Sequence, residues 1–208
     1  MKRIAGTAVF ILMLAFMELY GQQDEVATKH EPSKLVAFVP QYLIQNGIRI
    51  DYDLKIKDNH WLQLAPQFYL REKGESSPDQ SSEDFTQLYG GGIYLHHRRY
   101  ISPAPTKSGS YLSYGLGYNY FYLSYDEKHF SNYTDRYTRI NKLGGEVTIG
   151  LISNIQDILI LDFYAGLGIR YSFIDSDADN PKRFDDFYTG FGYTGNLILL
   201  GLRIGILR

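Results

Sequence analysis

The chain has 208 residues, 0 Cys and a formal charge of −2, with 19 Tyr and 12 Phe against 1 Trp. That length implies one domain, the missing cysteine excludes disulfides and thiolate metal sites, and the near-neutral charge offers nothing to nucleic acid. A mean hydropathy of −0.26 excludes a bundle of membrane-spanning helices but not a barrel, whose polar interior and loops dilute the average.

Lys2 and Arg3 precede an apolar run from Ile4 to Phe16. This is the pattern of a secretory signal peptide over 1–22, too short to span a bilayer as a helix. Residues 23–34 are polar and read as a periplasmic lead-in, and 35–208 as one barrel domain.

The strands expected from there are Leu35–Ile44, Gly47–Ile56, Trp61–Arg71, Gln87–Tyr100, Tyr111–Tyr125, Lys142–Ile152, Ile160–Phe173 and Tyr188–Leu207. Their warrant is alternation, because successive side chains of a strand point to opposite faces. Ile48, Ile50, Tyr52, Leu54 and Ile56 alternate with Arg49, Asp51, Asp53, Lys55 and Lys57. Leu112, Tyr114, Leu116, Tyr118, Tyr120 and Tyr122 alternate with Ser113, Gly115, Gly117 and Asn119. The same holds for Leu161 to Tyr171 and for Ile198 to Ile206. Pro40 and Pro66 fall inside two of these strands and mark places where a ladder bond is absent.

A soluble sandwich would show Lys, Glu and Thr on its polar faces. Here the polar faces mix glycine with isolated charges of both signs, which suits the cramped lumen of a small transmembrane barrel whose apolar face meets lipid. The rival is a secreted soluble ligand-binding barrel of lipocalin type, with the greasy faces inside. The connections Lys57–His60 and Asn154–Leu159 are short, whereas Glu72–Thr86, Asp126–Asn141 and Ile174–Phe187 are long and polar. Barrels of this kind keep short turns on the periplasmic side and long loops outside.

The signal peptide, the cysteine-free chain, the Gly/Tyr-rich alternating strands and a last strand running to Leu207 resemble the small Gram-negative outer-membrane β-barrel families. The transmembrane domain of outer-membrane protein A is a well-known member. The resemblance implies an all-β, closed, antiparallel up-and-down barrel of about eight strands in the outer membrane. Such barrels commonly end on an aromatic residue, where this chain reads Ile206-Leu207-Arg208.

Alternation turns Arg49, Asp51, Asp53, Lys55, His96, Arg98, Glu146, Asp162, Arg170 and Arg203 inward. An eight-stranded barrel is only just wide enough for side chains, and unpaired buried charge is costly. These residues are therefore expected to pair into a plug rather than line a pore.

Three further patterns are candidates for chemistry. His129-Phe130-Ser131-Asn132 resembles the His-x-Ser-Asn signature of lipid A deacylases, which implies Ser131 as nucleophile, His129 as base and Glu146 as orienting acid. Its charged flanks, Asp126 to Lys128 and Asp135-Arg136, place it in an outer loop, so no enzyme activity is expected. Asp175, Asp177 and Asp179, with Asp186 at the twelfth place, echo a calcium loop, but Asn180 stands at the turn glycine and Pro181 stiffens the next position. No fixed metal and no cofactor are expected. His96-His97-Arg98-Arg99 alternates faces and cannot converge on one ligand. The expected role is structural or adhesive, in a monomer among outer-membrane lipid and lipopolysaccharide. An extracellular partner would meet the outer loops and their aromatics Tyr133, Tyr137, Phe184 and Phe187.

Overall fold

The computed structural model describes residues 33–72, 85–101, 108–129, 132–155, 159–179, 181–185 and 187–207. The proposed signal peptide and most of the lead-in lie outside the described residues. The strands are β1 (Lys34–Phe38), β2 (Gly47–Lys57), β3 (His60–Glu72), β4 (Gln87–Tyr100), β5 (Gly109–His129), β6 (Asn132–Ile155), β7 (Leu159–Ser176) and β8 (Gly195–Leu207). Each pairs antiparallel with its sequence neighbours, and β1 pairs with β8 to close the ring.

Paired residues fix the stagger of that ring. Traced from Leu116 through β4, β3, β2 and β1, the partners run Leu95, Leu64, Tyr52, Val36 and Ile206. Traced the other way they run Gly145, Ile169 and Asn196. The two paths meet β8 ten residues apart, a shear of ten for eight strands. With ordinary strand rise and spacing, that shear tilts the strands by about 40°, so each residue climbs about 2.5 Å along the axis.

The tilt brings Leu116, Ile93, Phe68, Ile48, Val147, Leu167 and Leu200 to about one level, and all are exposed. Leu116 is 74% exposed and Ile198 77%. Tyr89, Tyr120 and Tyr171 stand outward on β4, β5 and β7 about 10–12 Å above that level, and Arg99 lies about 13 Å below it. The outward apolar band is thus about 25 Å tall, the height of a membrane barrel's lipid-facing belt. The lipocalin-type arrangement is overturned here: Leu64 and Leu200 point out, and Arg49, Asp51, Arg98 and Arg203 are buried inside.

The lumen is layered. Leu35, Trp61, Tyr100, Tyr111, Ile152, Ile160 and Leu207 form an apolar floor at the short-turn end. Tyr69, Phe85, Leu88, Phe121, Leu123, Tyr125, Ile140, Phe184 and Phe191 fill the loop end. Charges lie between. Glycine makes room for the rings: a Cβ on Gly117 would stand 2.3 Å from the Tyr94 ring that covers it.

Three elements depart from expectation. β1 stops at Phe38 instead of running to Ile44, because Pro40 has no N–H and starts a 3-10 helix, Pro40–Gln45. That helix ends on Asn46, held at φ 55 with its N–H on Leu43 O. The expected loop Asp126–Asn141 is mostly strand, since β5 and β6 continue as a paired hairpin to His129↔Asn132. β8 begins at Gly195 rather than Tyr188, and the segment before it folds over the mouth, with Gly192 N bonded to Phe184 O at 2.7 Å.

Candidate functional site

The middle of the lumen holds the densest chemistry. β2 contributes Arg49, Asp51 and Asp53 on its inward face, β4 His96 and Arg98, β7 Asp162, and β8 Arg203. Arg203 is the hub. Its Nη1 donates to Asp51 Oδ2 at 3.1 Å and to Asp53 Oδ2 at 3.4 Å, and its Nη2 bonds Asp162. Arg98 Nη1 reaches Asp53 Oδ2 at 3.0 Å and Asp162 Oδ2 at 3.4 Å. Arg49 Nε donates to Asp51 Oδ1 at 2.7 Å, and its Nη1 to the Tyr42 hydroxyl at 2.9 Å. Three guanidinium groups face three carboxylates, so the layer is charge-balanced although almost wholly removed from water.

Neutral groups complete it. Gln63 Nε2 donates to Asp51 Oδ2 at 2.7 Å and the Tyr111 hydroxyl to Asp162 Oδ1 at 2.8 Å. The Arg98 guanidinium also lies 4.6 Å from the Tyr111 ring centroid. A second cluster stands nearer the loops. Glu146 meets Arg170 Nη2 at 3.3 Å and His96 Nε2 at 3.9 Å. Lys142 Nζ donates to Gly190 O at 3.1 Å, tying β6 to the segment over the mouth. Lys55 is half-buried near the short-turn end.

Alternation alone had not singled out Gln63, Tyr111, Lys142, Tyr42 or Tyr164. Gln63 and Tyr111 do fall on the polar register of their strands, so the same period that turned the charges inward could have flagged them. Tyr42 and Gln41 carry no such signal, because they sit on a 3-10 turn.

A cavity of about 10 Å³ lies within the layer, lined in part by Arg49, Gln63, His96, Ser113 and Glu146. That is room for about one water. Ser113, His96 and Glu146 share this space, but Ser113 Oγ has no hydrogen-bond partner there, so no nucleophile–base pair is formed. With the guanidinium groups of Arg49, Arg98 and Arg203 all engaged, the layer ties β2, β4, β7 and β8 together across a narrow interior.

The other sequence patterns do not assemble. Ser131 lies outside the described residues. His129 pairs with Asn132 at the hairpin tip, whereas Glu146 faces the lumen fourteen residues down β6, roughly 45 Å along the strand. Glu146 therefore cannot orient His129. Asp175 is on the outer wall opposite Arg139, and Asp177 accepts from Tyr137 N–H at 2.8 Å. Asp179 is exposed, and Asp186 lies outside the described residues. Among the described residues no three His, Asp or Glu side chains gather as metal ligands. His97 points outward to His60, nitrogen to nitrogen at 3.0 Å, away from its neighbour His96. Phe184 is 5% exposed against Phe85 and Tyr125, which corrects its expected place among the loop contact aromatics. Tyr137 stacks on Tyr122 with centroids 5.8 Å apart, and Phe187 is exposed.

No described protein family matches the chain, and no curated protein matches it in sequence. A solved structure, a major outer membrane protein from Thermus thermophilus, is similar over 86% of this chain and 100% of that chain, at 14% identity and a TM-score of 0.49. Fold and lumen by themselves define the class: a closed eight-stranded antiparallel barrel with an apolar outer wall and paired charges buried in its interior.

Proposed function

We propose that the chain is an exported, monomeric outer-membrane barrel with a shut lumen and no catalytic centre, acting structurally or by surface contact through its outward hairpins and loops. The observation that carries this reading is the inverted polarity of the wall. Leucine, isoleucine and tyrosine face out around the whole circumference, while arginine and aspartate face in. In water such a wall would be an aggregation site far larger than the few hundred Å² that soluble monomers expose. In a bilayer the same wall is solvated, and closure satisfies the backbone as lipid requires.

The β5–β6 hairpin supports the second half of the reading. Its tip stands roughly 33 Å above the level of Leu116, which lifts it about 20 Å clear of Tyr89, Tyr120 and Tyr171. Asp126 and Asp135 face each other across it, beside Arg136. Lipopolysaccharide or an extracellular partner is the contact we assign to this charged finger, since binding residues concentrate on projections of a rigid scaffold.

The test has three parts. Fractionation should recover the protein with outer membranes, and only detergent should release it. Planar bilayers should show no stable single-channel steps. Lipid A should be the same with and without expression, and with Ser131→Ala. Release without detergent, stable conductance or Ser131-dependent loss of an acyl chain would each overturn the corresponding part. Replacing 126–137 by a two-residue turn should preserve insertion and abolish any surface binding.

A further inference from the structure

The rim of the barrel is not level. β3 and β8 reach roughly 12–14 Å above the level of Leu116, but the β1–β2 connection turns back only about 3–5 Å above it. The cause is Pro40, which ends β1 so early that its pairing with β8 stops at Phe38↔Ile204. Above that pair, among the described residues, no strand lies against the β1-facing edge of β8. The result is a notch in the wall, up to two strand positions wide, cut into the loop-side half of the apolar band.

The 3-10 helix forms its base. Gln41 Nε2 donates inward to the Tyr164 hydroxyl at 2.8 Å, and Tyr42 packs on the aromatic cluster and accepts from Arg49. Leu43 and Ile44 face the other way, with Ile44 76% exposed. Ile198 and Leu200 form one lip and Phe68 and Leu70 the other, all exposed.

We propose that this notch is a binding site for an acyl chain of a bilayer lipid. The inference rests on the membrane reading above. Ile198 and Leu200 on one lip, Phe68 and Leu70 on the other and Leu43 and Ile44 at the base are aliphatic or aromatic, with Asn196 higher on β8 and Gln45 beside Ile44 as exposed polar side chains, and the notch opens at the depth where the surrounding medium is hydrocarbon. Between Gly195 and Leu199, among the described residues, no strand lies beside the edge of β8 that faces away from β7; the Tyr193 hydroxyl donates to Asn196 O there at 3.0 Å, and this edge stands at the depth of a lipid's ester, amide or hydroxyl groups. A polypeptide strand fits less well. From Ile204 down, the edge of β8 is already paired with β1, so an added strand would find only a short track. A flexible chain needs no register.

The experiment uses the full barrel in nanodiscs containing phosphatidylethanolamine with a diazirine midway along one acyl chain. After irradiation, labelled peptides are mapped. Labelling across 40–48 and 195–202 should exceed that around Leu116 and Leu167, which are equally exposed, by at least about fivefold. Ile44→Trp and Leu200→Trp fill the notch and should abolish the excess, whereas Leu167→Trp should not. Heat-modifiable gel migration confirms that each variant is folded. Even labelling around the wall overturns the notch site and leaves the membrane reading standing. No labelling anywhere overturns the membrane reading itself. A notch protected from lipid and cross-linked to a second copy overturns the lipid as occupant.

Discussion

In the middle of the lumen Arg49, Arg98 and Arg203 hold three aspartates, while in the outer third Tyr69, Phe121 and Phe191 pack ring against ring. The charged groups of the middle layer all come from strands, and their bonds cross between β2, β4, β7 and β8. The outer layer borrows Phe184 and Phe191 from the segment over the mouth, held by Thr138 Oγ1 on Lys182 O at 3.0 Å and Lys142 on Gly190 O. One layer is therefore part of the wall's own closure, and the other is completed by a segment outside the strands. Charge in the middle fixes which strands meet, since a misplaced carboxylate would lose its partner in a dry interior. Apolar rings are less particular and tolerate a moving cover.

The contrast can be broken at its strongest point first. Arg203→Met leaves Asp51, Asp53 and Asp162 short of a partner and should cost about 3–5 kcal/mol, read as a lower urea midpoint for the heat-modifiable band. Pairing it with Asp162→Leu should recover part of that loss, because the buried charge is removed from both sides. Phe121→Ala in the outer layer should cost about 3 kcal/mol by opening a cavity, without changing conductance, because the paired charges below are left untouched. Tyr111→Phe removes a hydrogen bond to a carboxylate and should cost about 2 kcal/mol. Thr138→Val should cost about 1 kcal/mol globally, yet speed amide exchange selectively in the segment over the mouth. If exchange rose equally in β4 and β7, the two layers would be one cooperative unit and the distinction would fail.

How far the sequence carries this fold depends on where its period of two survives. Gln87–Tyr100 is the same strand in sequence and structure, because buried Leu88, Tyr94, His96 and Arg98 alternate with outward Tyr89, Ile93, Leu95 and Arg99 on either side of Gly90, Gly91 and Gly92. Above the apolar band that period vanishes. Asp126-Glu127-Lys128 reads as loop, since both faces of a hairpin in water are polar, yet the ladder continues through it. Phe184 was unreadable for the converse reason: one ring in a polar segment has no period, and only the fold-back shows that it is buried. In the lumen, charged residues announce themselves by breaking an apolar strand, whereas Tyr111 and Gln63 look ordinary until their partners are seen.

The uneven lengths of the strand pairings also set an order of assembly. β5 and β6 share twenty-one residue pairs between neighbours in the chain, so their hairpin can form from local contacts alone. The final seam joins residues some 170 positions apart through only four pairs, so loop entropy is spent before much is gained. The expected intermediate is an open, curled sheet centred on β5 and β6, with β1 and β8 as its two unpaired margins. Pulse-labelled exchange during folding into micelles should protect Leu116 and Val147 first and Ile204 and Ile206 last. The Pro40 that lowers the rim thus also makes ring closure the slow step.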